Sequence, residues 1–428
     1  MMISTSSLLV QRREYGEPNL LNEFESIATS AGYRVIGEFD IVGAEHGRYG
    51  ISIGKAEEID DWISAHEPDF VLFSPHLKSS QMFRLMEKWE VEVRDRPQVI
   101  LEIFSRHART RQAKLQIEQA RLEYELPFMK HQARMRLQRE HTGDRPTAQQ
   151  IGAGEDILSL RLNQIQNRLA KIRQKLQKIS DVQELKKKRR NNLGFTEVTL
   201  AGYTNAGKST LHTKLTDSNA EVADELFTTL STKASKLTIP GRDVVLTDSV
   251  GFISDLPPKL LQAFDTTLME IADADVIVLV VDVSDSLDEM ERKTQTCMET
   301  FGRIDVNTIP IVVALNKIDL VFPKILEHRK AVLETSFDQV IPISAKQEEN
   351  LDALLHAVQK ELPELHEYSI SIPNNNRSMS FLSWLHDVGE VKNQTFEGDT
   401  IRLEASVTPK NAQQMMNNLP GGEAERLN

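Results

Sequence analysis

The sequence predicts an α/β protein whose central part is a mostly parallel sheet with helices on both faces. Two patterns predict it: buried apolar runs alternate with helical stretches, and a glycine-rich loop joins one of those runs to a helix. The length of 428 residues allows two to four domains. We expect a small N-terminal α/β domain at 1–100, a helical hairpin at 101–192, the central domain at 193–362 and a small α+β C-terminal module at 363–428.

The first hundred residues alternate between helix-like and strand-like stretches. Helical periodicity marks residues 21–31, 59–65 and 82–89, and residues 70–73 form a short apolar run typical of a strand. This alternation favours a small α/β domain with a mostly parallel sheet. Residues 1–100 contain no phosphate-loop motif and no metal-ligand cluster.

The next segment carries the spacing of an antiparallel coiled-coil hairpin. Its second half has apolar residues alternately four and three apart: Leu158, Leu162, Ile165, Leu169, Ile172, Leu176 and Ile179. Its first half has a matching seam: Leu115, Leu122, Leu126, Met129 and Ala133. The simplest packing is two antiparallel helices with a turn at residues 141–155. We expect Pro127 to kink or interrupt the first helix.

Charge is unevenly distributed along the chain. The net charge is −12, but residues 161–190 hold eleven Lys and Arg against Asp181 and Glu184, a local charge of +9. The run ends in five consecutive cations at 186–190. Such segregation favours a polyanionic partner, such as nucleic acid, over a merely solvated helix face. The cations at outer positions of the hairpin are Arg121, Arg134, Arg136, Arg139, Arg168, Lys171, Arg173, Lys175 and Lys178.

The central domain begins with a phosphate-loop motif. Residues 202–209 fit the pattern G-x-x-x-x-G-K-[ST] and follow a buried run at 198–201. Backbone N–H groups of such a loop wrap the phosphates of a nucleotide, with Lys208 reaching the β/γ oxygens and Ser209 holding Mg²⁺. Further buried strands are expected at 244–246, 276–281, 311–315 and 340–343.

Three short motifs follow those strands, at the carboxyl edge where open α/β sheets bind ligands. They are Asp248-Ser249-Val250-Gly251, Asn316-Lys317-Ile318-Asp319 and Ser344-Ala345-Lys346. Asp248 is expected to hold Mg²⁺ through a water, and the Gly251 N–H to bond the γ-phosphate. The Asp319 carboxylate can accept the N1–H and N2–H₂ protons of guanine. Adenine lacks both donors, so GTP is preferred over ATP.

Two further features bear on hydrolysis. A third magnesium element is expected at 226–232, where sequence alone does not choose among Thr228, Thr229 and Thr232. Phe252 follows Gly251, where many regulatory GTPases have a water-orienting glutamine. Because a phenyl ring cannot orient water, we expect slow intrinsic hydrolysis, on the order of 10⁻⁴ to 10⁻³ s⁻¹, that a partner accelerates.

The tail after Pro363 resembles a small βαββ module. A strand is expected at 368–372, a helix at 379–386 and two more strands up to about residue 407, with 421–428 disordered. The single cysteine, Cys297, is expected to be a buried apolar side chain, because nothing around it suggests a nucleophile. One cysteine, no signal peptide and no membrane-spanning run predict a cytoplasmic protein, and we expect a monomer.

Several stretches carry the resemblance to a known family: 202–211 (GYTNAGKSTL), 226–230 (LFTTL), 248–257 (DSVGFISDLP), 95–118 and 53–59 (IGKAEEI). On these stretches the chain closely resembles the HflX family of ribosome-associated P-loop GTPases, over nearly its whole length. The resemblance implies hydrolysis of GTP to GDP with Mg²⁺, and Thr229 as the magnesium-binding threonine. It also implies GTP-driven binding to the large ribosomal subunit and its rRNA, with roles in splitting or rescuing stalled ribosomes.

The motifs and the resemblance together give the expected site residues. The catalytic residues are Lys208, Thr229 and Gly251, and the metal ligands are Ser209, Thr229 and, through water, Asp248. The GTP-binding residues are Gly202, Tyr203, Thr204, Asn205, Ala206, Gly207, Lys208, Ser209, Thr210, Phe227, Thr228, Thr229, Leu230, Ser231, Asp248, Ser249, Val250, Gly251, Asn316, Lys317, Ile318, Asp319, Ser344, Ala345 and Lys346.

Two departures from the family pattern stand out. The segment at 142–155 has three glycines, and Ala153 stands where relatives have proline. His212 stands where relatives have phenylalanine, and we expect it to be a partly buried packing residue. The sequence also allows two alternative functions: a nucleotide-gated adaptor whose hairpin binds a protein partner, and an RNA-modification GTPase. The second is weaker because no methyl-donor site or catalytic cysteine motif is present.

Overall fold

The computed structural model describes residues 5–108, 110–142, 148–192, 196–216, 233–239, 242–249, 251–254, 271–304, 306 and 308–427. Described residues up to Ile179 form one compact unit and those from Ser180 onward form another. The helices are α1 Leu21–Ser30, α2 Ile53–His66, α3 Ser79–Trp89, α4 Arg96–His107, α5 Arg111–Thr142, α6 Ala148–Asn192, α7 Lys208–Thr216, α8 Leu287–Arg303, α9 Pro323–Leu333, α10 Leu351–Glu361, α11 Asn376–Val388 and α12 Pro409–Asn417. The strands are β1 Thr5–Arg13, β2 Tyr33–Val42, β3 Phe70–Ser74, β4 Glu92–Asp95, β5 Thr196–Gly202, β6 Lys233–Ile239, β7 Arg242–Asp248, β8 Val276–Asp282, β9 Ile311–Asn316, β10 Gln339–Pro342, β11 His366–Pro373, β12 Gly389–Glu397, β13 Thr400–Val407 and β14 Glu423–Arg426.

The first unit opens with a four-stranded parallel sheet in the order β2-β1-β3-β4. Apolar side chains of its strands and helices, among them Leu8, Val71 and Leu85, are fully buried in one core. The indole of Trp89 donates to the Ala56 carbonyl at 2.9 Å and ties α3 to α2. The predicted small α/β domain with a parallel sheet is therefore confirmed.

Helices α5 and α6 form the predicted antiparallel pair. Arg168 and Arg173 of α6 form ion pairs of 2.6 and 2.7 Å with Glu118 and Glu123 of α5. Glu118 lies roughly 36 Å before the end of α5 and Arg168 roughly 30 Å after the start of α6, at 1.5 Å per helical residue. These side chains can meet only if α6 runs back along α5.

The predicted seam of α6 is the face that this helix buries. From residue 160 to 179 the seam side chains are buried or half-buried, and every side chain between them is exposed. Those seam residues are Leu162, Ile165, Leu169, Ile172, Leu176 and Ile179. On α5, Leu115 is buried and Leu122, Leu126 and Met129 are half-buried. The side chains of Leu158 and Ala133 lie outside the described residues.

The structure corrects one expectation about this arm and narrows another. The turn predicted at 141–155 is shorter, because α5 ends at Thr142 and α6 begins at Ala148. Gly152 and Gly154 are helical, although each destabilises a helix by about 1 kcal/mol relative to alanine. Pro127 lies inside α5, which continues to Thr142, so the proline does not interrupt the helix. The kink that an internal proline favours stays a prediction.

The second unit contains a six-stranded sheet in the order β10-β9-β8-β5-β7-β6. All neighbouring strands are parallel except β6, which runs antiparallel to β7 at the edge. Side chains from β5, β8 and β9 share one core with α7 and α10. The predicted strands of the central domain coincide with β5 and β7–β10, except that the one at 340–343 runs one residue past the end of β10, and β6 was not predicted.

The chain ends in a second sheet, in the order β12-β13-β11-β14, with all neighbours antiparallel. The sequence of elements β-α-β-β-α-β with this order is the ferredoxin-like arrangement. It contains the predicted βαββ and adds α12 and β14. The expected disorder at 421–428 is wrong, because β14 pairs with residues 368–371 of β11 and gains backbone hydrogen bonds there.

The boundaries proposed at residues 100, 192 and 362 stay predictions. Within the described part of the chain, no helix is long and apolar enough to cross a membrane.

Candidate nucleotide site

The phosphate loop leaves β5 and enters α7 through two glycines that the local geometry requires. Gly202 has φ +146°, and a Cβ there would lie 2.4 Å from the Val280 carbonyl oxygen. Gly207 has φ +97°, and a Cβ there would lie 2.2 Å from Nδ2 of Asn316. Both positions therefore exclude a side chain, by conformation and by space.

Lys208 lies at the centre of this loop. Its side chain is buried, and its ammonium donates to the carbonyl oxygens of Gly202 at 3.0 Å and Tyr203 at 2.8 Å. Burial lowers the pKa of Lys208, and the nearby Asp248 carboxylate opposes that shift. The loop thus presents a cation whose partners are neutral carbonyls, which an anionic phosphate can replace as the stronger partner.

Ser209 and Asp248 place two oxygen ligands side by side. The Ser209 hydroxyl, in the first turn of α7, donates to Oδ2 of Asp248 at 2.9 Å. Asp248 is the last residue of β7 and is buried. The next residue, Ser249, is anchored by its N–H to the Leu200 carbonyl at 3.2 Å. A hydroxyl and a carboxylate are ligands that suit Mg²⁺.

Gly251 passes directly against the phosphate loop. A Cβ at Gly251 would lie 2.9 Å from Nζ of Lys208 and 2.9 Å from Cγ2 of Thr204. The following residue, Phe252, is buried and packs edge-to-face on Phe301 of α8, with ring centroids 5.6 Å apart. Its ring belongs to the packing under the loop, which agrees with the expectation that it does not orient water.

Asn316 joins two loops of the site. Its amide donates to the Ala206 carbonyl at 2.8 Å, and its oxygen accepts the Ala345 N–H at 2.9 Å. The same side chain is the one that a Cβ on Gly207 would strike. Asn316 therefore fixes the distance between the phosphate loop and the loop that follows β10.

The base-reading carboxylate is accessible and oriented. Asp319 is exposed, and its Oδ1 accepts the Ser344 hydroxyl at 2.6 Å. Lys317 has φ +70° and pairs with Asp282 at 2.6 Å. The hydrogen bond from Ser344 orients the Asp319 carboxylate, as discrimination between purines requires.

The structure brings together the phosphate loop, Asp248, Gly251 and the two motifs after β9 and β10. Within these stretches Thr210 follows in α7, the Ile318 N–H donates to the Ile343 carbonyl at 3.3 Å, and Lys346 is exposed. The remaining predicted site residues lie outside the described residues: Phe227, Thr228, Thr229, Leu230, Ser231, Thr232 and Val250.

Two expectations about single residues can be compared with the structure. His212 is fully buried within α7, more so than the expected partly buried position. Cys297 is buried, and burial raises the pKa of its thiol to about 12, as befits a side chain that is not a nucleophile. Sequence reasoning missed the contacts of Ser254 and Arg292 with Tyr203, which no motif signals.

Three family models match consecutive parts of the chain. Residues 19–105 match the GTP-binding GTPase N-terminal family, residues 107–190 the GTP-binding GTPase middle region and residues 197–317 the 50S ribosome-binding GTPase family. "GTPase HflX" of Thermococcus kodakarensis is 37% identical over 95% of this chain and 92% of that protein. "GTPase HflX" of Akkermansia muciniphila is 32% identical over 92% and 91%.

Among solved structures, a GTP-binding protein from Sulfolobus solfataricus in complex with GDP is similar to this chain. It is 25% identical, covers 84% of this chain and 98% of its own length, and has a TM-score of 0.46.

Proposed function

The chain belongs to the HflX family of GTPases, and from this premise we propose that it is a GTP-controlled switch on the large ribosomal subunit. It has a P-loop GTPase domain and hydrolyses GTP to GDP and phosphate. The enzyme acts on the rRNA of the large subunit, and the outcome is the splitting or rescue of stalled ribosomes. We place this activity in the cytoplasm and assign it to a monomer.

The proposed roles at the nucleotide follow from the geometry. Lys208 would exchange its carbonyl partners for the β/γ-phosphate oxygens, and the Gly251 N–H would bond the γ-phosphate. Asp319 would accept the two guanine protons, and the Ala345 N–H would bond the guanine oxygen. Lys208 and Asp319 are hydrogen-bonded in place before a ligand binds, which lowers the reorganisation that binding requires, whereas the Ala345 N–H would exchange its Asn316 partner for the guanine oxygen.

Mg²⁺ fits the ligands present. The Ser209 hydroxyl and the Asp248 carboxylate, 2.9 Å apart, are hard oxygen ligands, and we propose that they hold the ion directly and through water respectively. Thr229 would complete the set. Bound there, Mg²⁺ would neutralise charge that develops on the phosphates during hydrolysis.

The observation that supports an RNA partner is a cationic stripe on one side of α6. We define the α6 stripe as Arg161, Arg168, Lys171, Lys175 and Lys178, all exposed. These residues fall at two adjacent heptad positions and span roughly 26 Å of helix. The neighbouring outer positions carry mostly uncharged side chains, among them the amides of Asn163, Gln166, Asn167 and Gln174.

Not every cation of the arm is available to a polyanion. Arg168, which belongs to the α6 stripe, and Arg173, which does not, are held by Glu118 and Glu123 of α5. Within the described part of the chain, Lys171, Lys175 and Lys178 have no ion pair. These three lysines are therefore the ones that we expect to contact phosphates.

Hydrolysis measured with and without purified large subunits tests the proposal. We expect the rate of GTP hydrolysis to rise at least about tenfold on adding large subunits. The triple variant K171Q/K175Q/K178Q should need more subunits for the same stimulation. The dependence of its subunit affinity on salt concentration should be that of a protein with about three fewer phosphate contacts. The matched control Q166A/N167A/Q174A changes three exposed side chains of the same helix without changing charge and should behave like the parent.

Absence of stimulation would favour the adaptor hypothesis, in which the arm binds a protein and GTP turnover is incidental. Equal stimulation of the lysine variant and the parent would remove the α6 stripe from the interface.

A further inference from the structure

Tyr203, the second residue of the phosphate loop, reaches away from the ligand side of that loop. Its carbonyl accepts the Lys208 ammonium at 2.8 Å, while its side chain is almost completely buried. The phenol oxygen accepts the backbone N–H of Ser254 at 2.9 Å and lies 2.8 Å from the Ser254 hydroxyl. One residue thus contacts both the lysine of the loop and the segment that carries Gly251.

Backbone hydrogen bonds run beside this side-chain contact. The Thr204 N–H donates to the Phe252 carbonyl at 2.9 Å, and the Phe252 N–H donates to the Gly202 carbonyl at 3.0 Å. Tyr203 and Phe252 pair as an isolated parallel bridge that extends β5 beyond its end. Gly251 immediately precedes this bridge, so its N–H is fixed relative to the phosphate loop.

Helix α8 supports the phenol from the other side. Arg292 donates to the Ser254 hydroxyl at 2.5 Å and pairs with Glu289 at 3.0 Å. The Arg292 guanidinium and the Lys293 ammonium lie 5.7 and 5.5 Å from the centre of the Tyr203 ring, within cation–π range. The ring is therefore held by two cations and its oxygen by one serine.

We propose that Tyr203 is a positioning residue for hydrolysis: its phenol fastens the Gly251–Ser254 segment to the phosphate loop and to α8. The fastening holds the Gly251 N–H close to Lys208, where both groups would meet the γ-phosphate. The inference rests on the proposed roles of Lys208 and Gly251, but not on a ribosomal partner.

This contact bears on hydrolysis more than on binding of GDP. The groups that meet the α- and β-phosphates belong to the phosphate loop itself, whose glycines and Asn316 contacts do not involve the phenol. The Tyr203 hydroxyl instead holds Ser254, at the end of the segment that begins with Gly251, and adds to the backbone hydrogen bonds that position Gly251. Since a donor aimed at developing charge contributes most when it is held rigidly, loosening it should slow the chemical step.

The variant Y203F tests the proposal because it removes only the hydroxyl and keeps the ring beside Arg292 and Lys293. In the isolated full-length protein we expect single-turnover GTP hydrolysis to slow by about tenfold, with GDP affinity within about twofold of the parent. Y368F removes a phenol oxygen from the C-terminal sheet of the same unit and should leave both quantities unchanged.

A second variant alters the same hydrogen-bonded group, the Ser254 hydroxyl, from the side of α8. R292Q removes the cation that holds Ser254 without altering the phosphate loop, and should slow hydrolysis in the same direction with unchanged GDP affinity. It remains informative if Y203F does not fold. Unchanged hydrolysis in both variants would overturn the proposal. So would a loss of GDP affinity equal to the loss of hydrolysis rate, because Tyr203 would then merely hold the loop together.

Discussion

At the nucleotide site Lys208 and Asn316 are buried and hydrogen-bonded in advance, whereas along α6 the cationic side chains are exposed and mostly unpaired within the described residues. Lys208 has two carbonyl partners and Asn316 joins two loops. Lys171, Lys175 and Lys178, in contrast, point into solvent from one side of a long helix.

The difference predicts two kinds of recognition. A pre-organised site discriminates between ligands, because a ligand that lacks a matching group leaves a buried donor or acceptor unpaired. The affinity of a row of exposed cations for a polyanion rises with the number of phosphates that they contact, and salt lowers it. The nucleotide site should therefore be sensitive to single atoms, and the α6 stripe to total charge.

The largest expected effect comes from adding one methyl group to the phosphate loop. In G207A the new Cβ would lie 2.2 Å from Nδ2 of Asn316, at a residue with φ +97°. The loop must open and release the hydrogen bond of Asn316 to Ala206. We expect nucleotide affinity to fall by about a thousandfold or more and stability by about 2 kcal/mol.

G302A is the matched control for that change. Gly302 lies in α8 with no atom within 4 Å of its added Cβ, so alanine should be neutral or stabilising by up to about 1 kcal/mol. Fluorescent-GDP titration and thermal melting measure both effects. Tight GDP binding by G207A would mean that the loop is not pre-organised as described.

A smaller loss of nucleotide affinity is expected when one carboxylate oxygen of Asp319 is replaced. D319N replaces an acceptor of two guanine protons by an amide, and GTP affinity should fall by about 100-fold. The new NH₂ group can donate to the C2 oxygen of xanthine, so affinity for xanthosine triphosphate should rise. Nucleotide competition in calorimetry checks both directions.

D352N serves as the control, because Asp352 is an exposed acid at the start of α10 in the same unit. It should bind GTP like the parent. If D319N also keeps the affinity of the parent, Asp319 does not read the base.

The same two regions show what sequence patterns can and cannot predict. Buried strands such as β8 are continuous apolar runs, and the seam of α6 has a regular period, so both were predicted. Two edge strands were missed: β6 (KASKLTI) carries two lysines, and the four residues of β14 (EAER) hold three charges. β6 and β14 form strands because they pair with β7 and β11, and no local sequence pattern indicates that pairing.

The nucleotide site divides in the same way. Lys208, Asp248 and Asp319 belong to short motifs with fixed spacing, and their positions followed from the sequence. The contact of Tyr203 with Ser254 and Arg292 joins residues 51 and 89 positions apart. Such a contact arises only from tertiary packing, so sequence reasoning could not find it.

Cosedimentation with purified large ribosomal subunits tests most directly whether the nucleotide bound to the protein controls how tightly α5 and α6 bind the subunit. The binding of the full-length protein to the subunits would be measured in the presence of a non-hydrolysable GTP analogue and in the presence of GDP, each at low and physiological salt. We expect binding to be at least about tenfold tighter with the analogue, and to weaken with salt in both nucleotide states. Equal binding with the analogue and GDP, or no binding in either state, would contradict the account.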